Sequence, residues 1–383
     1  MVEATAPVGS SRIQELLLYW QFLNKKQEEK KMKKILSVIL SLAMILCLLA
    51  GCGSKSTAPS ASAAAGSSAA SGSTGLSEKI ELSLAHGQQG TSAPGLALQA
   101  YADAVAAASD GMIQITVYPA SQLGNERDTM EGLKMGTIDM AYISSGVCEN
   151  YEPMFGLMNL PFLFQSYDQL ESSLKDEQIF STLKDGLSTH SIRLMTMLNQ
   201  GMRYMYSTTP VSDLTNVNGI KIRVPEAPMA KGIWSDLGGN PTPTGWSEVY
   251  TSMSTKVVDA FEVHIYAVFM ENLQETFQYA YLTGHQVSSS AVMISENIWE
   301  QLPEAAQQIL TDCLETLETE NHNNIVGAEA GLLQQLSDLG IEVNEVDSAT
   351  KDAMRAKCTD LYENWLASNE GGQKMIDVVD SYK

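Results

Sequence analysis

Two hydrophobic periods alternate along this chain, and their order predicts its architecture. "KIELSLAH" and "MIQITVYP" place apolar residues at every second position, the period of a half-buried strand, and "TIDMAYIS" reads as a third strand. The intervening stretches "APGLALQAYADAVAAAS" and "NERDTMEGLKMG" read as helices, with Asn125 the candidate N-cap of the second and Gly136 its stop. This βαβαβ order with short connections predicts a parallel sheet covered by helices on both faces. A second series starts near "IRLMTMLNQGMRYMYS". In "GIKIRVP", Ile220, Ile222 and Val224 alternate with Lys221 and Arg223, and Pro225 ends the strand because it has no N–H for a ladder. A helix to Gly238, "SEVYTSM", the strand "VVDAFEV" and "QVSSSAVMIS" follow. A long helical region over 304–340 stops at Gly340, before the strand "IEVNEV" and one further amphipathic helix, "TKDAMRAKCTDLYENWLAS". Two α/β series predict two lobes with a cleft between them. Ligands of open α/β sheets bind beyond the carboxyl ends of strands, where Arg223 stands.

The N-terminus reads differently. "MKKILSVILSLAMILCLLAGC", Met32 to Cys52, has two lysines, a short apolar run and small residues before a cysteine. The run is too short and wrongly flanked for a stable transmembrane helix, so 32–51 is expected to be a signal peptide. "LLAGC" resembles a bacterial lipobox, which implies a diacylated Cys52 as first mature residue. Two acyl chains anchor a protein firmly where one does not. Residues 1–31 place mixed charge ahead of this signal and read as a non-native extension before a start at Met32. Residues 52–76 form the lipidated cysteine and a Gly/Ser/Ala tether, reaching about 25 Å root-mean-square.

Charge narrows the partners. Of 24 basic and 45 acidic residues, 7 and 4 lie in 1–51, leaving 17 and 41 beyond it and a net charge of −24. Nucleic acid and basic-patch membrane binding are excluded by that charge, whereas a small anion fits if a few cations converge. Cys148, Cys313 and Cys358 show no disulfide framework or metal spacing; Cys313 and Cys358 either pair or stay as buried thiols. HExxH, GxSxG, P-loop, GxGxxG and CxxC motifs are absent, so no catalysis, metal or cofactor is expected.

Longer stretches carry a resemblance. "YPASQLGNERDTMEGLKMGTIDMA" (118–141), "LPFLF" (160–164), "GIKIRVPEAP" (219–228), "LGGNPTPTGWSEVYTSMSTKVVDAFE" (237–262), "TGH" (283–285) and "LPEAAQQ" (302–308) resemble the extracytoplasmic solute-binding subunits of TRAP transporters, the DctP type. The resemblance implies a two-lobed, periplasmic-binding-protein-like α/β fold with long C-terminal helices. Lobe I is expected over 77–200 plus about 289–328, and lobe II over 201–288 plus about 329–383. It also implies an organic-acid ligand delivered to TRAP membrane permease subunits, at the outer face of the cytoplasmic membrane.

Carried over residue by residue, the resemblance makes Arg223 the partner of the ligand carboxylate, Arg203 its assistant and Trp246 the aromatic over the ligand. A guanidinium suits the first role because its planar fork matches a carboxylate bidentately and stays charged. Local readings stand beside these roles: a salt bridge for Arg223, a hinge brace for Arg203, lip packing for Trp246. Where the family reads "DGQEN" and proline, this chain has "DAFEVH", with Phe261 and Val263 replacing the polar residues. Glu262 is retained, as a structural acceptor or a ligand contact, and His264 as a surface residue or a substitute polar group. A cleft-lining Arg223 is expected to be solvated in the open form. Lobe I offers His86, Asn125 (helix cap or hydroxyl contact), Arg127 (cleft or solvent), Tyr142, Ser144 and Ser145, and His285 reads as a hinge-side core residue. The rival to transport is an organic-acid sensor of the same fold.

Overall fold

The structure is a computed structural model and describes residues 75–383. The signal peptide and Cys52 lie outside the described residues. The first half follows the expected order: β1 (Ile80–His86), α1 (Ala93–Ala108), β2 (Ile113–Tyr118), α2 (Glu126–Met135) and β3 (Met140–Ser144). Ser92 caps α1 by accepting from the Gly95 amide, while Asn125 and Asp128 form a reciprocal capping box on α2. Gly136 ends α2 in the left-handed conformation at φ 71°, as a helix stop requires. Helices α3 (Tyr167–Leu174) and α4 (Glu177–Ser188) lead into β4 (Ile192–Ser207).

Beyond it come β5 (Lys221–Val224), α5 (Pro228–Asp236), β6 (Asn240–Pro243), β7 (Ala260–His264) and β8 (Tyr279–Ser295). The long helical region divides into α6 (Glu304–Asp312), α7 (Leu314–Val326) and α8 (Glu329–Asp338). After β9 (Glu342–Glu345), the stretch expected as one helix is two, α9 (Ser348–Lys357) and α10 (Thr359–Ser368), parted at Cys358. A last helix, α11 (Gly372–Asp380), has no counterpart in the expected elements. It buries Met375, Ile376 and Val379 against α3 and α4.

The described strands form one sheet of order β2-β1-β3-β8-β4-β7-β5-β6, with β9 on β8. The expected parallel set is β1 between β2 and β3, but the sheet as a whole is mixed. Its middle is the antiparallel pair β4 and β8, of 16 and 17 residues. The stretch "QVSSSAVMIS" is the later part of one long strand, β8, which starts at Tyr279 and which Gly284 does not interrupt. The first half of β4 and second half of β8 stand beside β3; the remaining halves carry β7 and β9. Such long strands accumulate twist, and bulges between Leu194/Thr196, Asn199/Gly201 and Arg203/Met205 bend the pair and add to it locally. Gly201 takes φ +101° at the middle bulge, where a Cβ would sit 3.3 Å from that of His264.

Layers of apolar side chains cover both faces. Tyr101, Leu98 and Val105 of α1 pack with Leu317 of α7, and Trp234 of α5 sits fully buried with Ile222 and Val224. Each such Leu, Ile or Val side chain contributes about 1.5–3 kcal/mol by leaving water. Cys148, Cys313 and Cys358 are all buried and unpaired, so the free-thiol alternative holds. No helix among the described residues is long and apolar enough to cross a membrane.

Candidate functional site

The carboxyl ends of β3, β5 and β7 meet the middle of β4 at a chain of adjoining cavities. The middle one is lined by Gln88, Glu126, Gln200, Arg203, Arg223, Trp246 and His264, among others. Arg223, Glu126 and Trp246 continue into the outer cavity, which Asn125 also lines. Ser144, Gln200 and Arg203 continue into a deeper one with Ser145, Asn159 and Ser289. A larger cavity lined by Glu171 and His322 lies elsewhere and contains neither arginine.

The two arginines differ in one decisive respect. Arg203 is paired: its Nε and one terminal nitrogen grip the two carboxylate oxygens of Glu262, the latter at 2.7 Å, and that nitrogen also donates to the Glu262 carbonyl at 3.1 Å. Glu262 is 1% exposed and further bonded to His285 at 3.2 Å, whose other ring nitrogen meets Thr283 Oγ1 at 2.8 Å. Burial pushes the Glu262 carboxyl up, but Arg203 and His285 outweigh it and hold it at about 2. Glu262 acts here as an internal counter-ion and does not line the cavity, which fits the structural-acceptor alternative rather than the ligand contact. His285 is a core residue, as read.

Arg223 has no counter-ion. It donates to the Thr244 carbonyl at 2.7 Å and Oγ1 at 3.3 Å, and its guanidinium lies 5.7 Å from the centre of the Trp246 ring. Among the described residues it makes no ion pair. At 2% exposure it is buried here, because Thr244, Trp246 and Pro225 wall it in; the solvation expected of it concerns the open form. Burial lowers its pKa to about 10, opposed by Glu262, so it stays charged at neutral pH. A desolvated cation whose donors meet only a carbonyl and a hydroxyl is unbalanced electrostatically.

Glu126 and the two glutamines were not among the sequence candidates. The Glu126 carboxylate accepts from the Ser144 amide at 2.7 Å and hydroxyl at 2.8 Å, so Ser144 positions Glu126 at the cavity wall. Burial raises the Glu126 pKa against those hydrogen bonds and against Arg223. Gln88 and Gln200 each sit within three residues of a sequence candidate, His86 and Arg203. That adjacency was the available signal.

Several candidates fall outside the cavity. Arg127 has a 60% exposed side chain that meets Glu226 at 3.6 Å across the rim, so it sits in solvent. Tyr142 is buried and does not line the cavity. Asn125 works as the helix cap and reaches only the outer cavity. Trp246 does stand at the lip. His264 is 2% exposed, not a surface residue, because β7, which carries it, is buried along its whole length.

His86 is 3% exposed, both ring nitrogens lack partners, and it is not a cavity-lining residue. Burial lowers its pKa from 6.5 to about 4. Between those values the unfolded chain binds a proton that the folded one refuses. This contribution to stability is therefore complete above about 6.5 and lost as pH falls toward 4. Glu149, raised by burial to about 7, opposes it, since its contribution is full below the ordinary carboxyl pKa and lost as pH rises through 7. Comparing denaturant melts of wild type and His86→Gln isolates the first group. Their stability difference should move by about 2 kcal/mol between pH 7 and pH 5, in favour of the variant at pH 5. A difference that does not vary with pH would show that His86 titrates normally in the fold.

A family model described as bacterial extracellular solute-binding protein, family 7, matches residues 84–369. A solute-binding protein of Chromohalobacter salexigens is 27% identical over 289 residues, covering 75% of this chain and 85% of that one. Among solved structures, a TRAP periplasmic solute-binding protein of Bordetella bronchispeptica, with density assigned to pantoate, superposes with TM-score 0.74 at 26% identity. The match covers 80% of this chain and 100% of that one. A TRAP periplasmic solute-binding protein of Roseobacter denitrificans with bound L-galactonate gives TM-score 0.72 at 26% identity, over 80% and 99%.

Proposed function

We infer the function from one premise: the chain belongs to the bacterial extracellular solute-binding protein family 7 and is a TRAP-type extracytoplasmic solute-binding protein. On that premise we propose that it captures a small hydroxylated organic acid in the arginine cavity and hands it to a membrane permease. The observation that carries this reading is the asymmetry of the two arginines. Arg203 is neutralised by Glu262, whereas Arg223 is buried with no direct ion pair and only the more distant pull of carboxylates such as Glu262 and Glu126, so a ligand carboxylate supplies the contact partner it lacks. The wall also carries hydrogen-bonding groups (Glu126, Gln88, Gln200) beside its apolar residues Pro225, Trp246 and Val263, which suits a hydroxylated carbon chain. A second ligand carboxylate would face the like charge of Glu126. The pantoate and L-galactonate of the two similar structures are hydroxylated monocarboxylates of this kind.

Because Arg223 is 2% exposed, an acid reaches it only when the walls part. We take the two lobes to divide where β4 and β8 change neighbours, near Gly201 and Ser288, and to open there. Cys52, with the Gly/Ser/Ala tether behind it, is proposed as the lipid anchor that keeps this body beside the permease. An organic-acid sensor would share the cavity, but no feature of the described residues favours it.

One preparation tests capture and anchoring together. In its native host the wild type should sediment with membranes, and Cys52→Ser should appear in the soluble fraction. That soluble protein should bind L-galactonate in calorimetric titration and show a melting rise, about 2.7 kcal/mol of added stability at 100 times its Kd. Membrane retention of Cys52→Ser removes the anchor. Absence of binding to L-galactonate, D-glucuronate and pantoate alike removes the organic-acid reading.

A further inference from the structure

We propose that His264 is a specificity-determining residue of this cavity, its imidazole taking a hydroxyl of the bound acid beside the carboxylate. The inference rests on the carboxylate-binding reading of Arg223 and adds a residue that this reading does not require. Strand β7 places His264 directly across the ladder from Arg203, with its side chain lining the same cavity as Arg223, Gln88 and Gln200. The ring is fixed on two sides. It stacks on Tyr266 at 4.2 Å between centroids and 24° between planes, and on the other side Gly201 leaves room for it, since a Cβ there would stand 3.3 Å from that of His264.

Buried polar groups in a folded protein normally find partners, and one that does not calls for an explanation. His264 is 2% exposed and its Nδ1 has no hydrogen-bond partner. A leucine or phenylalanine would fill the same space without the cost of desolvating two ring nitrogens. Nothing in the fold uses the imidazole's polarity, so a molecule in the cavity does.

The chemistry selects the partner. Burial, and then the Arg203 charge, hold His264 well below its ordinary pKa, so the ring is neutral. A neutral imidazole carries one donor and one acceptor. A hydroxyl, which also donates and accepts, matches either nitrogen. A carboxylate matches only the donor, and it would set its charge where Glu126 already stands. The site is thus built to prefer an acid with a hydroxyl near its carboxylate over a plain dicarboxylate. Sites that hydrogen-bond a substrate hydroxyl discriminate strongly against analogues lacking it.

The test compares L-galactonate with succinate, which has no hydroxyl, on wild type, His264→Phe, His264→Gln and Arg223→Ala, with melting curves on each protein. His264→Phe keeps the stack on Tyr266 and removes the polarity. It should weaken L-galactonate about tenfold and leave succinate unchanged or tighter. His264→Gln, which restores a donor and an acceptor, should recover part of the loss. Arg223→Ala should lose both acids. Equal effects of His264→Phe on the two acids, or none on either, would reduce His264 to a packing residue while leaving the Arg223 reading intact. If wild type binds neither acid, nor pantoate, the carboxylate reading falls and this inference falls with it.

Discussion

Arg223→Ala is expected to lower the affinity for the bound acid by about two to three orders of magnitude. A charged hydrogen bond contributes about 1.5–3 kcal/mol, and a buried carboxylate left without its partner costs about 3–5, at 1.4 kcal/mol per tenfold. Arg223→Lys keeps the charge but loses the planar fork and the bond geometry to Thr244, so it should fall between wild type and alanine. The effect on the ligand-free protein is a separate matter. Arg223 is buried with two hydrogen bonds and no counter-ion, so deleting it removes a desolvation cost together with those bonds. The melting temperature without ligand should change little, and the rise produced by ligand should vanish. Calorimetric titration beside melting curves separates the two. Normal binding by Arg223→Ala would place the carboxylate elsewhere, and collapse of the fold would make the residue structural.

Glu262→Ala should have the opposite signature, a loss of about 3–5 kcal/mol in folding stability, because it strands the Arg203 guanidinium in a site 7% exposed. His285 loses its acceptor in the same change. Replacing both partners by apolar residues, as in Arg203→Met with Glu262→Leu, should recover much of that stability, since the stranded charge is gone. Denaturant melts of both single variants and the double variant form the cycle. A Glu262→Ala protein as stable as wild type, or a double variant no better than Glu262→Ala, would show that the pair is not a buried charge balance. The carboxyl's pKa adds a check. Held down at about 2, it contributes stability above its ordinary 4.5 that is lost as pH falls through 2, so wild type and Glu262→Ala should converge in strong acid.

How far the sequence reached depends on the range of the interactions involved. Elements governed by local pattern came through: the capped α2 between Asn125 and Gly136, the alternation of "GIKIRVP", the parallel trio β1, β2 and β3. The long pair β4 and β8 did not, because a strand with both faces buried loses its period-two signature and Gly284 mimics a stop. Nor did α11, whose apolar residues are too few to mark it until α3 and α4 supply the surface they bury. At the site, Arg223 was visible from strand position and family likeness. Its burial was not, since Thr244 and Trp246 reach it from the following loop. Glu262 and His264 share one face of β7, two residues apart, so strand position could not decide between their alternatives; what sets them apart is the enclosure of the Glu262 carboxylate by Arg203 and His285 from two other strands. Glu126 stayed hidden because the residue that positions it, Ser144, is eighteen positions away.

The three cysteines of the folded body bear on how this protein can be handled and where it can work. Cys148, Cys313 and Cys358 are buried, and burial raises each thiol's pKa, Cys358 to about 12, so thiolate is scarce at neutral pH. Maturation therefore needs no oxidant or isomerase, and the body folds alike in anoxic and aerated surroundings. The same inertness leaves a chemically blank surface. Once Cys47 and Cys52 are replaced, a single cysteine introduced on the exterior is the one thiol a maleimide finds. Two such labels, one beside β2 and one beside β6, would turn the proposed parting of the cavity walls into a distance that can be followed in real time.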